Sequence, residues 1–250
     1  MSVNSTLTLA GKTLVITRPA HQAQALSTRL KNAGATVIAC PLLDIQPVLC
    51  EALNKHEVLS TYSLAIFTSP NAVEYFIKQL PHANPQVLQS LKIASIGKAT
   101  TQALTHYGLT VNYAPSTYFT SEELLELPNF KVLAPQAVLL VKGKGGRTLL
   151  AETLVSRGMK VALCEVYERI KLPLPCSPIE WSDVDWVMIT SLEALEHLVS
   201  CWQGAISLHH VALLVGSERI AQAAITLGFT TINTAKNPSD AAMWDALHRI

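Results

Sequence analysis

The sequence predicts an α/β protein with parallel sheets and an internal duplication, and three observations carry that prediction. Short β-branched runs alternate with longer helical patterns, the signature of βαβ units. Several of those runs are apolar on both faces, as a sheet covered on both sides requires. The order of the units also repeats along the chain.

In chain order, the strand candidates are LVIT (14–17), TVIA (36–39), LAIF (64–67), IASI (93–96) and LTVNY (109–113). AVLLV (137–141), KVALC (160–164), WVMI (186–189), VALLV (211–215) and FTTI (229–232) follow. LVITRPAHQAQALSTRLKNAGATVIAC, from Leu14, parallels LLVKGKGGRTLLAETLVSRGMKVALC, from Leu139, and both read strand, turn, helix, glycine, strand. IFTSPNAVEYF at Ile66 parallels MITSLEALEHL at Met188. SIGKATTQALTHYGLTV parallels LVGSERIAQAAITLGFTTI, with Gly97 against Gly216 and Gly108 against Gly228. Three unit types thus occur twice in one order. After each copy of the first comes a proline-bearing stretch without helical period, PLLDIQPV (41–48) and EVYERIKLPLP (165–175). Such stretches read as linkers or strands that pass between lobes.

Composition narrows the function. The 250 residues are 49% hydrophobic and 15% charged, which excludes disorder and suits one large domain or two small ones. Lys and Arg number 19 against 18 Asp and Glu, a net charge of +1 that argues against a nucleic-acid partner. No apolar run approaches the roughly 18 residues of a membrane span, and MSVNSTLTLAGK has no signal-peptide pattern. The five cysteines (Cys40, Cys50, Cys164, Cys176, Cys201) form no CxxC pair, which suits a reducing cytoplasm. The eight histidines show no HxxxH or HExxH spacing, so no metal site is expected.

Ligands of open α/β sheets sit where strands end and helices begin. Six turns qualify: TRPAHQ, TSPNA, IGKAT, VKGKGGRT, ITSLEA and VGSERI. Ser69 before Pro70, and Ser191 in the matching place, read as helix N-caps. Helix N-termini offer unpaired N–H donors and partial positive charge, so carboxylates or phosphates are natural ligands. The plainer reading is that both serines only cap. Lys98, Lys142, Lys144 and Arg147 stand on two turns without acids, whereas Arg18 and Arg219 stand near Glu193 and Glu218. An anionic ligand would therefore be held mainly by one lobe. VKGKGGRT matches neither GxxxxGK[ST] nor GxGxxG, and no GxSxG elbow exists.

LVITRP, IFTSPNAV, IGKATTQAL with YG following, the TSEEL helix start at Ser121 and VYER around Tyr167 together resemble the uroporphyrinogen-III synthase family. The resemblance runs in order from about Leu14 to Leu247. It implies two α/β lobes joined by a two-stranded antiparallel β-ladder: residues 1–40 and 173–250, residues 49–162, and a ladder of 41–48 and 163–172. It implies closure of hydroxymethylbilane to uroporphyrinogen III with loss of water and inversion of the last pyrrole ring, without metal or organic cofactor. It also implies a cytoplasmic monomer in transient contact with hydroxymethylbilane synthase, with no nucleic-acid or membrane partner. The resemblance also implies Tyr167 as the catalytic candidate, since it matches the tyrosine that the family places near the cleft, and a phenol O–H can serve as a proton donor. Packing on the ladder is its structural alternative. Arg18, Thr68, Ser69, Asn71, Gly97, Lys98, Thr100, Lys142, Gly143, Arg147, Ser191 and Ser217 are the substrate-binding candidates. VGSERI departs from the family, with Glu218 and Arg219 where threonines are common. On the residues alone, a non-catalytic two-lobe protein that senses an anionic metabolite remains the alternative.

Overall fold

The computed structural model describes residues 8–50, 59–80, 84–131, 136–174, 181–202 and 207–248. The opening heptapeptide, Pro175 and Cys176, which figure in the expectations above, lie outside them. In chain order, β1 (Thr13–Ile16), α1 (Ala20–Asn32), β2 (Thr36–Ala39) and β3 (Leu43–Pro47) come first. β4 (Leu64–Phe67), α2 (Pro70–Gln79), β5 (Lys92–Ser95) and α3 (Lys98–His106) follow. Next are two short helices, α4 (Ser121–Glu126) and α5 (Pro128–Lys131), then β6 (Ala137–Gly143), α6 (Leu149–Ser156) and the long β7 (Lys160–Lys171). The chain continues through β8 (Trp186–Ile189), α7 (Leu192–Cys201), β9 (Leu213–Val215), α8 (Glu218–Thr226), β10 (Ile232–Thr234) and α9 (Asp240–Leu247).

Two compact units result: Met1–Asp44 with Ile170–Ile250, and Ile45–Arg169. In the first, a parallel sheet runs β10-β9-β8-β1-β2. The other sheet runs β3-β7-β6-β4-β5, with β4 to β7 parallel. The unit boundary falls inside β3 and inside β7. Leu172 N–H donates to Leu42 O and Val48 N–H to Val166 O; the partners descend as the chain advances, so β3 is antiparallel to β7.

Strand alternation builds the cores, since successive side chains point to opposite faces. In β4, Ala65 and Phe67 join a cluster with Val73, Phe76 and Ile77 of α2 and Leu104 of α3. Leu64 and Ile66 turn the other way, toward Leu124, Phe130, Leu150 and Leu154. β1 divides likewise: Val15 meets Leu195 and Leu198 of α7, and Leu14 and Ile16 meet Leu26, Leu30 and Met243. Each fully buried side chain of this size contributes about 1.5–3 kcal/mol relative to exposure.

Two expected strands are displaced. LTVNY forms only a single bridge, Tyr113 with Ala94. Asn112 Oδ1 accepts the Ile93 N–H (2.8 Å), so a side chain takes the place of a ladder carbonyl. FTTI yields to a strand that starts at Ile232. Its first residue closes the preceding helix instead: Phe229 N–H donates to Ala224 O (3.0 Å), just past Gly228 at φ 93°. KVALC, by contrast, runs on through VYERIK as one twelve-residue strand. No described helix is long and apolar enough to cross a membrane.

Asp185 ties β1 to the start of β8. Its carboxylate accepts Lys12 Nζ (2.7 Å) and Thr13 N–H (2.8 Å), and its own N–H donates to Thr13 O (2.9 Å). Partial burial pushes its pKa up, but Lys12 and the Thr13 N–H outweigh this and hold it below the ordinary carboxylate value. A folded pKa below the unfolded one gives stability that is complete at neutral pH and lost as pH falls from about 4 through the lower folded value. Asp185→Asn should therefore destabilise by about 0.5–1 kcal/mol at pH 7. The gap from the parent in thermal unfolding should narrow as pH falls below the ordinary carboxylate range of about 4; a gap independent of pH contradicts this.

Candidate active site

The C-terminal ends of β4, β6 and β7 border a pocket of about 400 Å³ in the Ile45–Arg169 unit. At the first of them, TSP does what its residues dictate. Ser69 is extended (φ −159°), and Pro70 takes the first helical position, where a missing N–H costs nothing. Ser69 Oγ accepts the Ala72 N–H (3.1 Å), and the same oxygen lies 3.1 Å from the Tyr167 hydroxyl. Capping and site contact are thus one side chain. The Thr68 hydroxyl donates to Val141 O (3.3 Å), which fixes the turn to β6.

At the end of β6, the ladder shifts register. Lys142 lies opposite Glu165, but Gly143 lies opposite Tyr167. A Cβ on Gly143 would fall 2.6 Å from Tyr167 Cζ and 2.9 Å from its oxygen, so only glycine admits the ring there. Lys144 N–H then donates to Tyr167 O (2.7 Å). Gly145 and Gly146 follow at φ 72° and 77°, the left-handed region that side chains disfavour. Gly145 N–H donates to Glu165 Oε1 (3.2 Å), and Lys144 pairs with Glu168 (3.2 Å). Arg147 pairs with Glu122, whose carboxyl is held below its ordinary pKa by its own backbone N–H and then by Arg147. The Arg147 side chain is 75% exposed. Such solvated pairs are worth little, so a ligand carboxylate can replace the glutamate at small loss.

Tyr167 is only 3% exposed, yet it lines the pocket. Its ring packs against Tyr75 (centroids 5.9 Å apart), with the Arg169 guanidinium 5.7 Å from the ring centre. Arg169 Nη2 approaches the phenol oxygen at 3.5 Å. Two potential donors, Ser69 Oγ–H and Arg169, therefore face the oxygen that would carry charge if Tyr167 gave up its proton.

Of the sequence candidates, Thr68, Ser69, Lys142, Gly143, Arg147 and Tyr167 line this pocket together. Asn71 lies in the first turn of α2, and Gly97 and Lys98 open α3, beside the pocket rather than on its lining. Thr100 is 2% exposed and packed inside α3's buried face. Ser191, Ser217 and Arg18 belong to the other unit. Ser191 caps α7 by accepting the Ala194 N–H (3.1 Å), whereas Ser217 precedes α8 without a side-chain cap bond. Arg18 bonds Thr190 Oγ1 (3.3 Å), Asp240 and Pro238 O, with its side chain 10% exposed; its guanidinium holds β1 to the start of α9.

Thr120 and Arg169, which stand within the TSEEL and VYER motifs, and Phe119 also line the pocket, although none was among the site candidates. The two-residue strand period puts Arg169 on the face of Tyr167, a signal that was legible. Phe119 carries no such mark, because its place depends on a left-handed backbone (φ 54°) that no local motif announces.

Cations, hydroxyls, a helix N-terminus and a buried phenol at the ends of parallel strands define an α/β protein equipped to hold carboxylates and to donate a proton. The family model described as Uroporphyrinogen-III synthase HemD matches residues 24–245. A uroporphyrinogen-III synthase of Escherichia coli is 32% identical over 244 residues, 94% of this chain and 99% of the relative. One from Proteus mirabilis is 33% identical over 199 residues, 75% and 97% of the two chains. A solved mutant uroporphyrinogen III synthase from Thermus thermophilus shares the fold, with TM-score 0.65, 18% identity and coverage of 95% and 98%. The chain belongs to the uroporphyrinogen-III synthase family, of tetrapyrrole biosynthesis.

Gly143→Ala tests the register-shift geometry. It should destabilise by about 1–3 kcal/mol through overpacking against Tyr167. Most of that loss should vanish in a Tyr167→Ala background, because the two residues are in contact. Equal losses in both backgrounds would show that the ring is not what excludes a side chain there.

Proposed function

We propose that this chain closes hydroxymethylbilane into uroporphyrinogen III, with Tyr167 as the proton donor to the leaving hydroxyl. The observation that carries this reading is the buried Tyr167 phenol, 3.1 Å from Ser69 Oγ, on a pocket lined by Lys142, Lys144, Arg147 and Arg169. The substrate bears acetate and propionate groups on its rings, which suits those cations and the N-terminus of α2.

In the reaction, the Tyr167 proton goes to the terminal hydroxyl, the carbon–oxygen bond breaks and water leaves. The phenolate is stabilised by Ser69 Oγ–H and Arg169. The azafulvenium carbon is attacked by the substituted position of ring D, giving a spiro intermediate that fragments and recloses with that ring reversed. The proton lost when the pyrrole regains aromaticity returns to Tyr167, so one water is the only by-product. Unguided closure gives the uninverted isomer, so holding the chain ends contributes more than proton transfer does. Proton transfer and positioning suffice for these steps, and the reading calls on no metal or organic cofactor.

We further infer an internal duplication, supported by the strand orders. β10-β9-β8-β1-β2 maps onto the Tyr113 bridge followed by β5-β4-β6-β7 when the repeated units are matched. On this reading residues 1–40 with 173–250 and residues 49–162 are the two lobes, and 41–48 with 163–172 the ladder. The enzyme is a cytoplasmic monomer that takes its bilane from hydroxymethylbilane synthase in transient contact. A sensor of an anionic metabolite is not favoured, since the matched relatives are named as synthases over nearly their whole length.

The test is conversion of freshly generated hydroxymethylbilane, with products scored as type III or type I. Type III is expected; type I alone would favour the sensor. Tyr167→Phe should lower kcat about 100-fold, the low end of what a positioned acid contributes, without abolishing it, because acid catalysis is one contribution among several. An unchanged kcat dismisses the acid role. Lys142→Ala combined with Arg147→Ala should raise KM several-fold more than Arg18→Ala does, and equal effects would contradict binding at this pocket.

A further inference from the structure

Phe119 combines three features that rarely meet. It is a bulky residue in the left-handed backbone region (φ 54°), 41% exposed, and on the lining of the cationic pocket. A phenyl ring left in water and a backbone held where side chains are disfavoured both work against the folded state. Such a conformation persists only where its surroundings over-determine it.

Glu123 does so. Its carboxylate accepts four consecutive backbone N–H groups, from Ser116 (3.0 Å), Thr117 (2.8 Å), Tyr118 (2.6 Å) and Phe119 (2.9 Å). Desolvation raises the Glu123 pKa, but the N–H donors outweigh it and hold the carboxyl below its ordinary value. The Glu123 N–H is itself capped by Thr120 Oγ1 (3.2 Å), and neighbouring Glu122 pairs with Arg147 of the glycine turn. The loop that carries Phe119 thus lies beside the turn that carries the cations, and its shape is set by Glu123 rather than by that solvated pair.

We propose that Phe119 is a pyrrole-packing residue of the site, and that Glu123 is the positioning residue that holds its ring at the pocket. The flat face of a pyrrole meets the phenyl ring while its carboxylates meet the Lys142–Arg147 turn, so one wall recognises the ring and another its charge. This rests on the reaction proposed above and adds how the pocket distinguishes a carboxylated pyrrole from a simple polycarboxylate.

Phe119→Gly separates function from folding, because glycine relieves the left-handed strain while removing the ring. In the hydroxymethylbilane assay, KM should rise about tenfold with type III product retained at saturation, and the thermal midpoint should hold or increase. Phe119→Trp, which keeps a ring, should recover most of the affinity. Glu123→Ala should raise KM in the Phe119 background but add little to Phe119→Gly, since both act through one ring. A KM within twofold of the parent in Phe119→Gly, or additive effects of the two substitutions, overturns the proposal. If the parent protein forms only type I product, the reading of the reaction fails and this inference with it. A parent that forms type III beside an unaffected Phe119→Gly overturns this inference alone.

Discussion

Between Lys142 and Gly143 the parallel ladder of β6 and β7 slips by one residue, and the site depends on that slip. It brings a residue without a side chain against the Tyr167 ring, where a Cβ would collide with Cζ. The ring can then sit against Gly143, packed on Tyr75, with its hydroxyl within hydrogen-bond distance of Ser69. The same slip turns the Lys144 N–H onto Tyr167 O and starts the two left-handed glycines that present Arg147. A local backbone irregularity thus sets the phenol, the hydroxyl and the cations around one volume. β-Bulges often re-aim side chains in this way.

Charge is organised locally rather than globally. A chain with net charge +1 can hold a polycarboxylate if its cations share one pocket and its own acids release them readily. The pairs Lys144–Glu168 and Arg147–Glu122 are solvated, with lysine and arginine side chains 59% and 75% exposed. They keep the turn in place at little energetic depth, so under the proposed binding a substrate carboxylate can take the glutamate's place, within a screening length of about 10 Å at 0.1 M salt. The Arg18 pair is the contrast. Its guanidinium is nearly enclosed by Asp240, Pro238 and Thr190, which makes it part of the scaffold.

Local signals in the sequence foretold what local physics decides. Thr-Ser-Pro announced an extended cap and a helix start, and the Ser69 and Ser191 side chains both accept the N–H three residues on. Apolar alternation in LAIF announced a strand buried on two faces, which Phe67 and Ile66 confirm by joining different cores. Contacts between distant residues were not legible. Gly143 read as one member of a glycine-rich loop, whereas its meaning lies in Tyr167, a neighbour made by strand pairing. Arg18 read as a binding candidate partly offset by Glu193 and Glu218, whereas its ion-pair partner is Asp240, 222 residues away. In LTVNY, a single asparagine side chain that took a ladder bond undid an otherwise sound strand pattern.

The central claim is that the turn from Lys142 to Arg147 and the start of α2 receive the carboxylates of a tetrapyrrole. Backbone amide chemical shifts, followed during titration with uroporphyrin III (the oxidised form of the proposed product), test it most directly. The amides of Gly145, Gly146, Arg147 and Ala72 should shift together along one saturating curve. Saturable binding that leaves those four amides unmoved would contradict it.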